Sequence, residues 1–142
     1  MQNISFKLID DDDILVIIPF LQELNTTTPK DILEERVLDM IGLNYKCVGV
    51  YDDNVLIGMA GLWFSTRHYC GKSVEPDHVV ITRTYQGKGI GKLLFQWIYN
   101  YAKQMGCTTT ELNAYTENRS SHKFYYNEGF EILGFHFLKR FK

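Results

Sequence analysis

The sequence is poor in the features that would tie it to a membrane, a disulfide framework or a polyanionic partner. No apolar run approaches the ~18 residues of a membrane-spanning helix, and the opening MQNISFKLIDDDD has no basic segment leading into an apolar one, so no targeting segment or membrane partner is expected. Cysteine is scarce: Cys47, Cys70 and Cys107 are odd in number, far apart and without CxxC or Cys/His spacing. Neither disulfides nor a metal site is therefore expected, and a reducing, cytoplasmic setting fits. With 15 basic against 17 acidic residues the net charge is only −2, which gives no overall pull toward nucleic acid. Any phosphate recognition must be local. There are no repeats, linkers or low-complexity stretches, and 45 % hydrophobic content is enough for one core, so residues 1–142 read as a single domain.

What is present is a regular alternation of strand and helix patterns. Ile4–Ile9 alternates as a strand, and Asp10–Asp13 then precede Ile14, Ile17, Ile18 and Leu21, as acids do at a helix N-terminus. Pro19 should bend or shorten that helix. A second helix is expected from Pro29 to Leu43, followed by a hairpin of Tyr45–Tyr51 and Val55–Phe64 turning at Asp52-Asp53-Asn54. Thr66–Pro76 reads as a loose connection, and Val79-Val80-Ile81 as a further strand. Leu93, Leu94, Trp97, Ile98, Tyr101, Ala102 and Met105 then give the strongest helical period in the chain, closed by Gly106. Thr108–Tyr115 alternates again, Glu117–Asn127 is a short helix, and the aromatic Phe130–Phe141 should supply two strands broken at Gly134. The order β-α-α-β-β-β-α-β-α-β(-β) implies an α/β domain with a mixed sheet.

Three glycines fall between the Val79–Ile81 strand and the long helix, in TYQGKGIGKLL. Loss of side chains at such a corner lets backbone N–H groups approach a phosphate at the positive end of the helix. A Walker A loop is excluded, because Gly87 to Gly91-Lys92 is one residue short and Leu93 stands where a hydroxyl is needed. The dinucleotide fingerprint G-x-G-x-x-G is only approximated by Gly87-Lys88-Gly89-Ile90-Gly91, mid-chain and after a hairpin, although Glu111 falls near the acidic position. The bland alternative is a helix start whose glycines relieve crowding.

Gln86-Gly87-Lys88-Gly89-Ile90-Gly91 matches Q/R-x-x-G-x-G/A and resembles the pyrophosphate loop of the GCN5-related N-acetyltransferase (GNAT) superfamily. ENRSSHKFYYNEGFEILGFHF resembles that superfamily's second signature, with Asn118, Phe124, Tyr125, Gly129 and Phe130 on its positions. The resemblance implies a mixed, mostly antiparallel central sheet flanked by helices and an acetyl-CoA-dependent transfer to a primary amine, ahead of all of a small molecule. It assigns Gln86 to Gly91 to the pyrophosphate, Val79, Val80 and Ile81 to the pantetheine arm, and Asn118 to a hydrogen bond with that arm. Lys88 and Lys92 become candidates for ribose-phosphate contacts. It also admits a homodimer formed through exposed strands. Arg83 departs from the pattern, since relatives often carry proline there.

The reaction needs a free amine, stabilisation of the thioester oxygen and a proton for the leaving thiolate. By the resemblance, a strand N–H near Val80 or Ile81 serves the oxygen and Tyr125, protonated at neutral pH, serves the sulfur. Asp77 and His78 are equal candidates for the general base, with Glu75 third; as strand neighbours, only one of Asp77 and His78 should face the site. His68 and His122 are isolated and read as ordinary surface or packing residues. The alternative function is a non-catalytic acyl-CoA-binding sensor that keeps the cofactor loop.

Overall fold

The computed structural model describes residues 2–141. Strand β1 (Ile4–Leu8) leads into a 3-10 helix (Asp11–Ile17), then α1 (Ile18–Leu24) and α2 (Lys30–Met40). The hairpin strands β2 (Tyr45–Asp52) and β3 (Val55–Arg67) follow, then β4 (Gly71–Ile81), a short 3-10 turn (Arg83–Tyr85), α3 (Ile90–Gln104), β5 (Thr109–Thr110) and α4 (Arg119–Asn127). The five strands lie in chain order, antiparallel except for the parallel β4–β5 pair. This is the mixed, mostly antiparallel sheet that the resemblance implied.

The sheet separates two packed layers. Tyr45, Cys47, Met59 and Val80 meet Ile14, Ile17, Ile18, Leu21, Leu33 and Val37 on the side of α1 and α2. Val48, Val50, Ala60, Leu62 and Val74 meet Ile90, Leu94, Ile98 and Ala102 of α3 on the other. Local chemistry sets the joints. Pro19 sits in the first turn of α1, where its missing N–H costs nothing, so the preceding Asp11–Ile17 turns are 3-10 and the two pieces stay short. The acids Asp11, Asp12 and Asp13 occupy the first 3-10 turn without a side-chain capping bond, so they act through charge alone. Gly106, at φ +87°, lets the Cys107 N–H return to the Ala102 carbonyl at 2.9 Å and close α3.

Three expectations are corrected. Thr66–Pro76 is no loose connection: β3 runs on to Arg67 and β4 begins at Gly71, so the two strands form one long hairpin. β5 is only two residues long rather than Thr108–Tyr115. Its ladder with β4 pairs Ser73 with Thr109 and Val74 with Thr110 and ends where the Glu111 N–H reaches the Val74 carbonyl. The next rung would need an N–H from Pro76, which has none. Finally, no strand forms in Phe130–Phe141 among the described residues.

Candidate active site

Pro76 has a second consequence. Beyond Val74, the edge of β4 that faces away from β3 has no partner strand among the described residues, so Glu75 through Ile81 form an unpaired edge. Val79, Val80 and Ile81 lie along it, with Val80 buried and paired to Met59, and Ile81 paired to Gly58. The edge ends at Ile81, from which the short 3-10 turn Arg83–Tyr85 leads to the glycine corner.

At the corner, Gly87 (φ +76°) and Gly89 (φ +80°) adopt the left-handed backbone, and a Cβ at either would meet no atom within 4 Å. Their glycines therefore serve conformation and not crowding. Gly89 is the residue before α3 and makes no capping bond, so the first helical amides remain free. From Gly87 to Lys92 no backbone N–H donates to another group among the described residues. A row of free amides at the N-terminus of a 15-residue helix is an anion cradle. Gln86 differs from its expected role: its N–H is taken by the Arg83 carbonyl at 3.1 Å, and its side chain donates to the Ile81 carbonyl at 2.8 Å. It staples the loop to the end of β4. Ile90, the first residue of α3, is buried against the sheet, whereas Lys88 lies over the Tyr85 ring and Lys92 is exposed. The loop is tied down further by Tyr85, whose hydroxyl donates to Asp52 at 2.6 Å.

The face of β4 toward α1 and α2 carries the titratable groups. Between Met59–Gly61 on β3 and Asp77–Val80 on β4 the register shifts, so β4 holds one extra residue there, and His78 takes φ +38°. The bulge brings Asp77 and His78 to the same place, against the expectation that strand neighbours diverge. The His78 N–H donates to Asp77 Oδ1 at 2.9 Å, Nδ1 lies 3.3 Å from Oδ2, and Trp63 Nε1 donates to Oδ2 at 3.1 Å. Tyr45, 2 % exposed, meets His78 Nε2 at 2.6 Å. Burial pushes the Tyr45 hydroxyl far above its ordinary range, so it stays an O–H; where that O–H donates to Nε2, the ring proton is assigned to Nδ1, facing Asp77. Gly61 makes this possible, because a Cβ there would overlap the His78 ring.

These contacts divide the carboxylates. The hydrogen bond from His78, ahead of the others, holds Asp77 below the usual carboxylate range although burial opposes it. Glu75, two residues earlier on the same face, is raised by burial and then by the charge of Asp77, with Asn113 Nδ2 donating to it at 3.1 Å. One carboxylate is thus a fixed anion and its neighbour a better base.

Tyr125 of α4 sits in an aromatic nest, its ring centroid 6.0 Å from Phe95, 5.7 Å from Phe124 and 5.8 Å from Phe130. Burial raises its phenol, and its hydroxyl has no partner among the described residues. Asn118 precedes α4, is exposed, and accepts at Oδ1 from Ser120 at 3.4 Å. Tyr45, Trp63, Gly61 and Asn113 were not singled out from the sequence. Their signal is three-dimensional, since only the pairing of β2, β3 and β4 gathers them.

The acetyltransferase (GNAT) family model matches residues 17–130. The chain belongs to that family. An aminoalkylphosphonate N-acetyltransferase of Salmonella typhimurium (strain LT2) is 31 % identical over 85 residues, which cover 59 % of this chain and 55 % of that enzyme. The match thus spans about half the length of that curated relative. Among solved structures, the ribosomal-protein-alanine N-acetyltransferase of Brucella melitensis biovar Abortus 2308 superposes with a TM-score of 0.81 at 20 % identity, over 99 % of this chain and 100 % of that one. The aminoglycoside N-acetyltransferase AAC(6')-Iy in complex with CoA gives a TM-score of 0.84 at 16 % identity, over 100 % and 97 %. At these identities the likeness is one of fold.

Proposed function

We propose that the chain is an acetyl-CoA-dependent N-acetyltransferase that transfers acetyl to a primary amine of a small molecule. The observation that carries the reading is the row of free amides from Gly87 to Lys92, opening onto the unpaired edge of β4 beside Glu75 and Asp77. A diphosphate suits the amides, and the β4 edge from Val79 to Ile81 suits an amide-bearing arm. Asn118, with free hydrogen-bonding capacity, would hold that arm from the side of α4. The co-substrate supplies the activated acetyl group as a thioester.

The protein's part is proton handling and orientation. The fixed anion Asp77 holds an incoming ammonium, and Glu75, with its raised affinity for a proton, takes one as the amine attacks the thioester carbon. A backbone N–H of β4 near Val80 stabilises the oxygen as the new C–N bond forms. When the C–S bond breaks, Tyr125 gives its phenolic proton to the thiolate, and the second proton that the nitrogen sheds as the amide forms restores the phenol. His78 has both ring nitrogens engaged, so its role is to aim Asp77. The family kinship to aminoalkylphosphonate and aminoglycoside enzymes supports a small acceptor, and the free thiols Cys47, Cys70 and Cys107 suit a cytoplasmic setting. Among the described residues no helix is long and apolar enough to cross a membrane. A second copy of the chain is the protein partner this reading adds.

The test is calorimetric titration with acetyl-CoA, CoA and NAD, followed by thiol release with an aminoalkylphosphonate, an aminoglycoside, a diamine and an N-terminal alanine peptide. Selective CoA binding with amine-dependent thiol release is expected. CoA binding without release under any amine would favour a sensor, and tight NAD binding without CoA binding would overturn the reading.

A further inference from the structure

Helix α4 carries Tyr125, yet little holds the helix in place. None of its residues is buried, although Phe124, Tyr125 and, just past its end, Glu128 are partly covered. Its partner is a single stripe of α3: Gly91, Phe95 and Tyr99, four residues apart and therefore on one face of that helix. A Cβ at Gly91 would lie 3.9 Å from Phe124 Cε1, the Phe95 ring is 5.2 Å from Phe124 and 6.0 Å from Tyr125, and the Tyr99 hydroxyl donates to Glu128 Oε1 at 3.0 Å. The stripe thus runs from the glycine corner, through the ring contacts, to one polar contact.

That polar contact stands out in two respects. Among the described residues it is the one hydrogen bond or ion pair that joins residues 115–141 to the chain before them. Glu128 also stands at the C-terminal end of α4, where the helix dipole and the free carbonyls disfavour a carboxylate and favour a cation. Its oxygen is used on α3 instead, by Tyr99. Burial, and then the bond to Glu128, pushes the Tyr99 phenol above its ordinary range, so the hydroxyl remains the donor. Phe95 and Tyr99 lie one turn apart on α3, and Tyr125 and Glu128 one turn apart on α4, so the ring contact and the hydrogen bond join the same two faces. Two points of attachment fix a rotation of α4 that one alone leaves free.

We propose, on the reading of Tyr125 as the acid, that Tyr99 and Glu128 are positioning residues: their hydrogen bond fixes the rotation of α4 and so aims the Tyr125 hydroxyl at the breaking C–S bond. That hydroxyl has no hydrogen-bond partner of its own among the described residues, so ring packing and the turn of the helix set its direction. Gly91 belongs both to the row of free amides and to the stripe under α4. The acid is thereby held in register with the diphosphate cradle.

Amide hydrogen exchange over 119–129 and single-turnover thiol release from acetyl-CoA test this on the full chain, with Tyr99→Phe, Glu128→Ala and Glu128→Gln, and with Tyr99→Phe in a Tyr125→Phe background. Release is followed with whichever of the four amines above the parent acetylates fastest, and circular dichroism checks that each variant keeps the fold. Tyr99→Phe and Glu128→Ala should speed exchange across α4 about 10-fold, for one lost hydrogen bond to a charged acceptor. Their release rate should fall about 10–100-fold, the scale of a misplacement of about 1 Å, with the Kd for acetyl-CoA and the KM for the amine unchanged. Glu128→Gln, which keeps an accepting oxygen, should restore most of the rate, and once Tyr125 is replaced Tyr99→Phe should slow release no further. Unchanged exchange in both variants would show that the bond does not hold α4. Faster exchange with parental release would show a tie that serves stability alone. A further loss in the Tyr125→Phe background, or a Kd that weakens with the rate, would place the effect outside Tyr125. Each of these three overturns the proposal and leaves acetyl transfer standing. A parent that releases no thiol with any amine, or a Tyr125→Phe variant with parental release, would instead strike the transfer or the acid, and the positioning role with it.

Discussion

Tyr45→Phe isolates one atom of the network beneath the candidate active site. The ring stays, with its 4.7 Å contact to Trp63 and its 2 % exposure, and only the hydroxyl 2.6 Å from His78 Nε2 is lost. A neutral hydrogen bond contributes about 1 kcal/mol net, but here the partner left behind is a ring nitrogen on a side chain only 14 % exposed. Leaving such an acceptor unpaired brings the expected loss to about 1–3 kcal/mol. At ~2 cal/mol/K of unfolding entropy per residue, that loss lowers Tm by roughly 3–10 °C for a chain of this length. Thermal and urea unfolding of the two proteins at neutral pH measure it. Loss of the Tyr45 bond also frees the His78 ring to turn, so Asp77 loses the Nδ1 contact and the KM for the amine should rise while acetyl-CoA affinity holds. A variant with parental stability and an unchanged KM would refute the reasoning, because the hydroxyl would then neither hold the imidazole nor aim the carboxylate. Tyr45→Ala is the control, expected to cost more, about 3–5 kcal/mol, through the cavity it leaves.

Further predictions follow the same contacts. Glu75→Gln should lower kcat/KM by about 10²–10⁴-fold and remove an acid limb lying above the ordinary carboxylate range of ~4.3, read from the pH–rate profile. Because the folded-state affinity of Glu75 for its proton is raised, the native state holds more protons than the unfolded one between the two values. Stability from this group therefore falls as pH rises through that window, and Glu75→Gln should be less pH-sensitive there in urea unfolding. Asp77 has the opposite sign: its depressed folded value contributes stability above ~3.9 that is lost as pH falls through the folded value, an effect reduced by its half-exposed side chain. Gly89→Ala meets no clash, yet its φ of +80° should cost about 1–2 kcal/mol of strain and distort the amide row, seen as weaker CoA binding by calorimetry. Tyr125→Phe should slow thiol release with CoA affinity unchanged; a proportional loss of both would show that the phenol packs and does not donate.

How much of this was legible in the sequence follows the range of the interactions. The glycine corner and the helix after it were readable because their physics is local: left-handed positions at Gly87 and Gly89, and a helical period through Leu94, Ile98 and Ala102, need no distant partner. Gln86 was readable as part of the loop, but the carbonyl its side chain reaches belongs to Ile81, a contact no local pattern shows. The bulge at His78 was not readable, as it depends on the register of β4 against β3 and on Gly61 leaving space for an imidazole. That one extra residue turned two strand neighbours expected on opposite faces into a single hydrogen-bonded pair. Pro76 was visible from the start, but its effect could be seen only once β5 was aligned beside it: a missing N–H ends the parallel ladder and opens the edge of β4. The tail makes the converse point. Its alternating aromatics in Phe130–Phe141 are a strand signal as clear as any in the chain, and no strand forms there among the described residues. A strand pattern specifies two side-chain faces, and a strand forms only where a neighbouring edge supplies the backbone hydrogen bonds.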